Sequence, residues 1–208
     1  MKRDGKPTPF IKRVFDVLFS LIAMIILSPV LVVVSIVLVI SDGFPVFFTQ
    51  TRPGKNGNPF DLHKFRTMKV VRNQNDESSV DGDRITKFGN LLRISSLDEL
   101  PELYNVLKGE MSIVGPRPLL MQYLGRYSEE QYRRHEVLPG ITGWAQINGR
   151  NAISWEEKFR LDVWYVDHWT FQLDLKIILQ TIWKVIKGEG ISQPGRVTMD
   201  EFMGNAEK

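Results

Sequence analysis

Residues 14–40 form a run of 27 residues carrying a single charge, Asp16. A helix of that length reaches about 40 Å at 1.5 Å per residue, enough to cross a bilayer core. A helix apolar on every face must be buried all round or placed in lipid. Four placements are open: a spanning anchor, a cleaved signal peptide, a buried core helix, and a hairpin that enters and leaves the membrane by one face. The run is long for a signal peptide and shows no small-residue cleavage site. Two features favour the hairpin. Ser28-Pro29 sits at the middle of the run. Pro29 lacks an N–H and its ring meets the carbonyl of Ile25, which breaks or bends the helix, and the Ser28 hydroxyl is placed to take up a freed carbonyl. Lys2, Arg3, Lys6, Lys12 and Arg13 precede the run, and Arg52, Lys55, Lys64, Arg66 and Lys69 follow it. Positive flanks on both sides put both ends on the cytoplasmic face. Spanning helices also contain prolines, so the spanning anchor stays open.

The remaining composition excludes several classes. A net charge of +3 over 208 residues is not that of a basic nucleic-acid coat. No nucleic-acid reader motif is present, and basic residues beside an apolar run suit anionic lipid. The absence of cysteine excludes disulfides, iron–sulfur clusters and thiolate zinc. His63, His135 and His168 are too scattered for an imidazole metal cluster.

The pattern predicts an α+β chain: the membrane hairpin, a small β-hairpin, and several amphipathic helices lying at the membrane interface. Residues 45–51 and 59–68 read as strands, with Asn56-Gly57 between them as a hairpin signal. Residues 70–83 are polar and read as a loop or lid. Residues 88–94 fit a short amphipathic helix. Pro101 must lie in the first turn of the next helix; Asp98 as N-cap puts it at N3, and the helix ends near Gly109. Ser154 begins a capping box with Glu157. A last helix spans about 173–187, with Lys176, Lys184 and Lys187 beside apolar positions. Trp155, Trp164, Trp169 and Trp183 share this third of the chain, as a membrane interface favours. The divisions are a membrane segment with its basic flank over 1–42, a catalytic region over 43–190, and a tail over 191–208 that reads as frayed.

Ser96-Leu97-Asp98-Glu99-Leu100-Pro101, followed by Val114-Gly115-Pro116-Arg117-Pro118, carries the chemistry. Transfer at a diphosphate needs a nucleophile, cations against phosphate charge, and positioning. Asp98 fits the nucleophile, through an acyl-phosphate. Glu99 fits an oxygen ligand for Mg²⁺. A helix N-terminus beside them offers backbone donors. Lys64, Arg66, Arg93, Arg117 and Arg150 are candidate phosphate clamps. A plain reading competes: Asp98 a helix cap, Glu99 a dipole-favoured first-turn acid, each cation a solvated charge. No Walker-type glycine loop supports a kinase or ATPase.

These motifs stand in order with Phe48-Thr49-Gln50, Arg52-Pro53-Gly54, Lys64-Phe65-Arg66-Thr67-Met68, Arg93, Asn105-Val106-Leu107-Lys108-Gly109, Met111-Ser112, Pro139-Gly140-Ile141-Thr142-Gly143 and Asn148-Gly149-Arg150. Over residues 10–188 the chain resembles the bacterial sugar transferases, the monotopic phosphoglycosyl transferases. It is most similar to their minimal members, of the kind that initiates a lipid-linked glycan for protein N-glycosylation. The resemblance implies transfer of a phospho-sugar from a UDP-sugar to undecaprenyl phosphate with UMP release, in ping-pong fashion. Asp98 would form the covalent intermediate and Glu99 would hold Mg²⁺. Lys64, Arg93, Arg117 and Arg150 would contact phosphates, and Ser28-Pro29 would be the helix break of a re-entrant hairpin. It further implies the cytoplasmic face of a bacterial inner membrane, membrane lipids as surroundings and downstream glycosyltransferases as partners. It leans towards an N-acetylated amino sugar, with UDP-galactose and UDP-glucose as alternatives. A non-catalytic membrane scaffold of a glycan pathway is the competing reading.

Overall fold

The computed structural model describes residues 5–69, 84–149, 153–187 and 201–204. The polar segment 70–83 and Arg150 lie outside the described residues.

Helix α1 (Phe10–Asp42) carries the apolar run as one element, with Pro29 inside it. The Ser28 hydroxyl donates to the Ile25 carbonyl at 2.8 Å, the carbonyl whose helical donor Pro29 lacks. Gly43, at φ 71°, closes the helix with its N–H on Val39. Lys12, Asp16 and Ser20, four apart, form one buried stripe. That stripe explains the lone charge of the run. Asp16 Oδ1 accepts the Ile113 N–H at 3.0 Å. Lys12 Nζ donates to the Val114 carbonyl at 3.0 Å and pairs with Asp174 Oδ2 at 2.5 Å. Tyr165 and Trp169 donate to the same Asp174 carboxylate, at 2.7 and 2.9 Å.

Strands β1 (Phe47–Pro53) and β2 (Pro59–Phe65) pair antiparallel, Phe47 opposite Phe65 and Pro53 opposite Pro59. They start and stop within a few residues of the sequence expectation. The predicted Asn-Gly turn is there: Asn56 (φ 59°) and Gly57 (φ 74°) supply the left-handed residues. Helix α2 (Lys87–Ile94) is capped by Thr86, whose hydroxyl accepts from Gly89 N. Helix α3 (Glu102–Lys108) lays Leu103 and Val106 on Phe60 and Leu62 of β2 and ends at Gly109, φ 85°, as expected. Asn105 ties α3 to β2, donating to the Asp61 carbonyl at 2.7 Å and accepting from His63 N at 3.1 Å. This bond fixes where Lys64, the next residue of β2, stands.

Strands β3 (Ser112–Val114) and β4 (Gly140–Thr142) form a parallel pair that the sequence did not announce. Their approach needs glycine: a Cβ on Gly140 would lie 2.0 Å from Gly115 N. The short helices α4 (Glu129–Tyr132) and α5 (Trp144–Ile147) lead to α6 (Trp155–His168), where Ser154 accepts from Glu157 N as predicted. Helix α7 (Phe171–Lys187) buries Asp174 and Ile177 and exposes Leu175, Leu179, Ile182, Trp183 and Ile186 at helical spacing. The end that reads as frayed is anchored at one point: Phe202 is buried with Tyr123 and Phe159.

Replacing Asp174 with alanine removes the ion-pair partner of buried Lys12 and leaves only Asp16, one helical turn away, acting on it through space. We expect a loss of about 3–5 kcal/mol, as for other broken buried pairs. Lys176→Ala, at the helix surface, should change stability by less than about 0.5 kcal/mol. Thermal unfolding in detergent micelles checks both.

Candidate active site

The Asp98-Glu99 dyad does not begin a helix, and Asp98 is not an N-cap. It lies in a 3-10 turn, Leu97–Glu99, and α3 starts three residues later behind Pro101. Proline at position 101 has no N–H to continue the turn's ladder, which separates the two elements. The turn is entered through Ser96 at φ 57°, a left-handed conformation that costs a non-glycine residue about 1–2 kcal/mol. That strained entry turns the dyad back towards β2.

Glu99 is the hub. Its Oε1 accepts Lys64 Nζ at 2.8 Å and a guanidinium N–H of Arg117. Lys64 also reaches Glu102 Oε1, at 3.0 Å. Glu102 is 2% exposed. Burial pushes Glu99 towards protonation, but Arg117 and Lys64 outweigh it and hold the carboxyl well below the usual range. Glu102 goes the other way: burial, with the Glu99 charge added and Lys64 opposing, pushes it up to about 7. Lys64 is raised, because Glu99 outweighs its own burial. So, three positions apart, Glu99 is a firm carboxylate and Glu102 a carboxyl pushed towards its protonated form.

Asp98 is different again. It is 9% exposed. Among the described residues its side chain makes no hydrogen bond and no ion pair. Burial, then the Glu99 charge, raises its pKa to about 6 against Lys64, Arg117 and Arg93. The group is thus mainly ionised at neutral pH and not neutralised by a bonded cation.

The loop after β3 supplies Arg117. Pro116 accepts the Gly140 N–H at 3.1 Å, and the Arg117 carbonyl accepts from Arg134 at 2.7 Å. Its guanidinium side is 38% exposed, so it can meet a ligand. Arg52 lies in the same field; burial, then Arg117, lowers its pKa to about 10, and it stays charged at neutral pH. Arg93 bonds Thr67 Oγ1 at 2.9 Å and acts on Asp98 through space. Arg66 serves elsewhere, donating to the Asp42 and Gly43 carbonyls at 2.7 and 2.6 Å and so closing the end of α1.

Sequence reasoning thus finds Asp98, Glu99, Lys64, Arg93 and Arg117 together. It misses Glu102, although positions 98, 99 and 102 have the i, i+3/i+4 spacing that joins side chains. It also misses the Arg134–Asp162 pair behind Arg117, at 2.8 Å, for which a separation of 28 positions leaves no local signal.

No group of three or more His, Asp and Glu side chains among the described residues is arranged to cage a metal. Mg²⁺ asks for less: one or two carboxylates with waters and phosphate oxygens. Both cations use Glu99 Oε1, and among the described residues no donor bonds Oε2. That oxygen, on a carboxylate held ionised, fits such a ligand.

The Asp98 shift has a defined sign. Its folded pKa lies above the unfolded value, so its contribution to stability is full below about pH 4 and is lost as pH rises through about 6. Asp98→Asn removes that loss. We expect the variant to be more stable than the native chain by about 1–3 kcal/mol at pH 7.5, with the difference vanishing near pH 4. Thermal unfolding of both chains across pH 4–8 measures it.

Residues 7–188 match the family model described as bacterial sugar transferase. The chain is 54% identical to an uncharacterized sugar transferase, EpsL, of Bacillus subtilis, over 95% of this chain and 98% of that one. It is 41% identical to the UDP-glucose:undecaprenyl-phosphate glucose-1-phosphate transferase of Escherichia coli, over 84% of this chain and 40% of that one. It is 35% identical to the undecaprenyl-phosphate galactose phosphotransferase of Salmonella typhimurium, over 87% of this chain and 41% of that one. The chain therefore spans about two fifths of the length of those two relatives. With the family model covering most of the sequence, and the dyad, Lys64 and Arg117 assembled in one site, the chain belongs to the bacterial sugar transferase family.

Proposed function

We propose that the chain is a phosphoglycosyl transferase that moves a phospho-sugar from a UDP-sugar to undecaprenyl phosphate and releases UMP. One observation carries this reading: Glu99 takes both bonded cations, which leaves Asp98 buried, ionised at neutral pH and, among the described residues, unpaired. An Asp98 oxygen attacks the β-phosphorus, the bond to the UMP oxygen breaks, and its electron pair leaves with UMP. A phosphate oxygen of the lipid then attacks the same phosphorus and the carboxylate departs. No proton has to be removed from the nucleophile, so no general base is needed. Lys64, Arg117 and Arg52 set positive charge around the diphosphate, and Arg93 does so on the Asp98 side. Arg150 is proposed as a further phosphate contact on the family motif alone. Glu99 would hold Mg²⁺, which when bound would supply further neutralisation of phosphate charge.

The lipid acceptor requires the site at a membrane. We place α1 as a re-entrant hairpin turning at Ser28-Pro29, on the cytoplasmic face of a bacterial inner membrane. Both ends of α1 bind one folded body: Arg13 donates to the Val106 and Leu107 carbonyls at 2.6 and 2.8 Å, and Asp42 accepts from Thr86 at 3.1 Å. Between them Ile25 and Ile26 are 64% and 67% exposed. The exposed apolar stripe of α7, flanked by Lys176, Lys184 and Lys187, suits the headgroup level. The lipid-linked product then goes to glycosyltransferases. For the sugar, the activities for which the relatives are named favour a neutral hexose, glucose or galactose, over the N-acetylated amino sugar that the minimal members suggest.

Purified chain with undecaprenyl phosphate, Mg²⁺ and a panel of UDP-glucose, UDP-galactose and UDP-N-acetylhexosamines should release UMP. Asp98→Asn should lower the rate by about 10³-fold or more, and Glu99→Gln by about 10²-fold. Silence with every sugar leaves the scaffold reading; normal turnover by Asp98→Asn removes the mechanism. The chain has no cysteine, so single cysteines at positions 6 and 55 report topology cleanly. Both should be labelled from the cytoplasmic side only; opposite sides would mean a spanning helix.

A further inference from the structure

The tail returns to the active-site framework. Beyond the last described turn of α7, Phe202 is 5% exposed while its neighbour Met203 is 76% exposed. The ring of Phe202 meets Phe159 edge-on (centroids 4.9 Å, 76°), Tyr123 likewise (5.7 Å, 79°), and Tyr127 nearly parallel (5.8 Å, 20°). Its backbone is also fixed. Phe202 N–H donates to Tyr123 Oη at 3.2 Å, and Arg126 donates to the Phe202 carbonyl at 2.5 Å and to Glu201 Oε1 at 2.7 Å. Gln122 Nε2 donates to the same Glu201 oxygen at 2.6 Å.

The far side of this cluster holds Arg134. Its guanidinium lies 5.8 Å from the Tyr127 ring centre and 5.7 Å from that of Phe159, and it pairs with buried Asp162. From there Arg134 Nη2 donates to the Arg117 carbonyl at 2.7 Å. Leu119 and Leu120, which follow Arg117-Pro118, pack on the same aromatic cluster. Arg117 therefore has its backbone held by Arg134 and by the two leucines, and all three rest on rings that Phe202 closes.

We infer that Phe202 is a positioning residue for Arg117, and that the tail at Glu201–Gly204 is a strap completing the phosphate site from behind. A side chain placed for phosphate chemistry keeps its geometry only if its supporting shell is packed, and an error of about 1 Å can cost about 10²-fold in rate. This rests on the phosphoglycosyl transferase reading, through Arg117.

A double-mutant cycle tests it. Phe202→Ala is measured in the native and in the Arg117→Ala chain, with residual turnover followed by radiolabelled UDP-sugar. If Phe202 acts through Arg117, kcat/KM for the UDP-sugar falls about tenfold in the native background and less than twofold where Arg117 is absent. Phe202→Leu, which refills the cage and guards against a variant that does not fold, should recover most of the loss. Equal losses in both backgrounds, or no loss in the native chain, would overturn the inference while leaving the enzyme reading intact. A native chain inactive with every UDP-sugar would instead remove that reading, and this inference with it.

Discussion

Three carboxylates within five residues, all removed from water, are held by a few cations, and the site depends on how those cations are shared. Lys64 bridges Glu99 and Glu102, and Arg117 binds Glu99. The result is a division of labour set by environment: Glu99 firmly ionised, Glu102 pushed towards its protonated form, and Asp98 ionised but, among the described residues, unbonded. Were Lys64 or Arg117 to bind Asp98 directly, its charge would be tied up in an ion pair. Because they bind its neighbour, the charge that the proposed attack requires remains available.

The same cations depend on the fold around them. Lys64 is placed by β2, which Asn105 of α3 locks from the side. Arg117 is placed by the loop between β3 and Leu119, and β3 is bonded directly to α1 through Asp16 and Lys12. The helix that carries the apolar run is thus a structural part of the catalytic body. A shift of its first turns moves Ile113 and Val114, three to four residues before Arg117. On the proposed function, the membrane helix and the phosphate clamp form one mechanical unit.

Much of this was legible in the sequence, where the signals are local. The long apolar run located α1, apolar positions at helical spacing located α7, Asn56-Gly57 located the turn, and Ser154 located the start of α6. Chemistry-bearing residue types located Asp98, Glu99, Lys64 and Arg117. What was not legible depends on pairing across the chain. Strands β3 and β4 are three residues each, too short to show alternation. Arg134 and Asp162 meet only because α6 packs behind the loop, and Phe202 reads as part of a frayed tail because its cage is built from distant rings, those of Tyr123, Tyr127, Trp155 and Phe159. The competing reading of Asp98 as a helix cap fails because Ser96 adopts a left-handed turn that a serine seldom takes.

The account stands on Asp98 as a covalent nucleophile, and the mass of the intact protein tests that most directly. The native chain and Asp98→Asn would each be incubated with a panel of UDP-sugars and Mg²⁺, without lipid acceptor. The account predicts one added phospho-sugar mass on the native chain, lost on addition of undecaprenyl phosphate and absent from Asp98→Asn. An adduct of the same mass on Asp98→Asn would contradict it, as would steady UMP release with acceptor from a native chain that never carries the adduct under rapid acid quench.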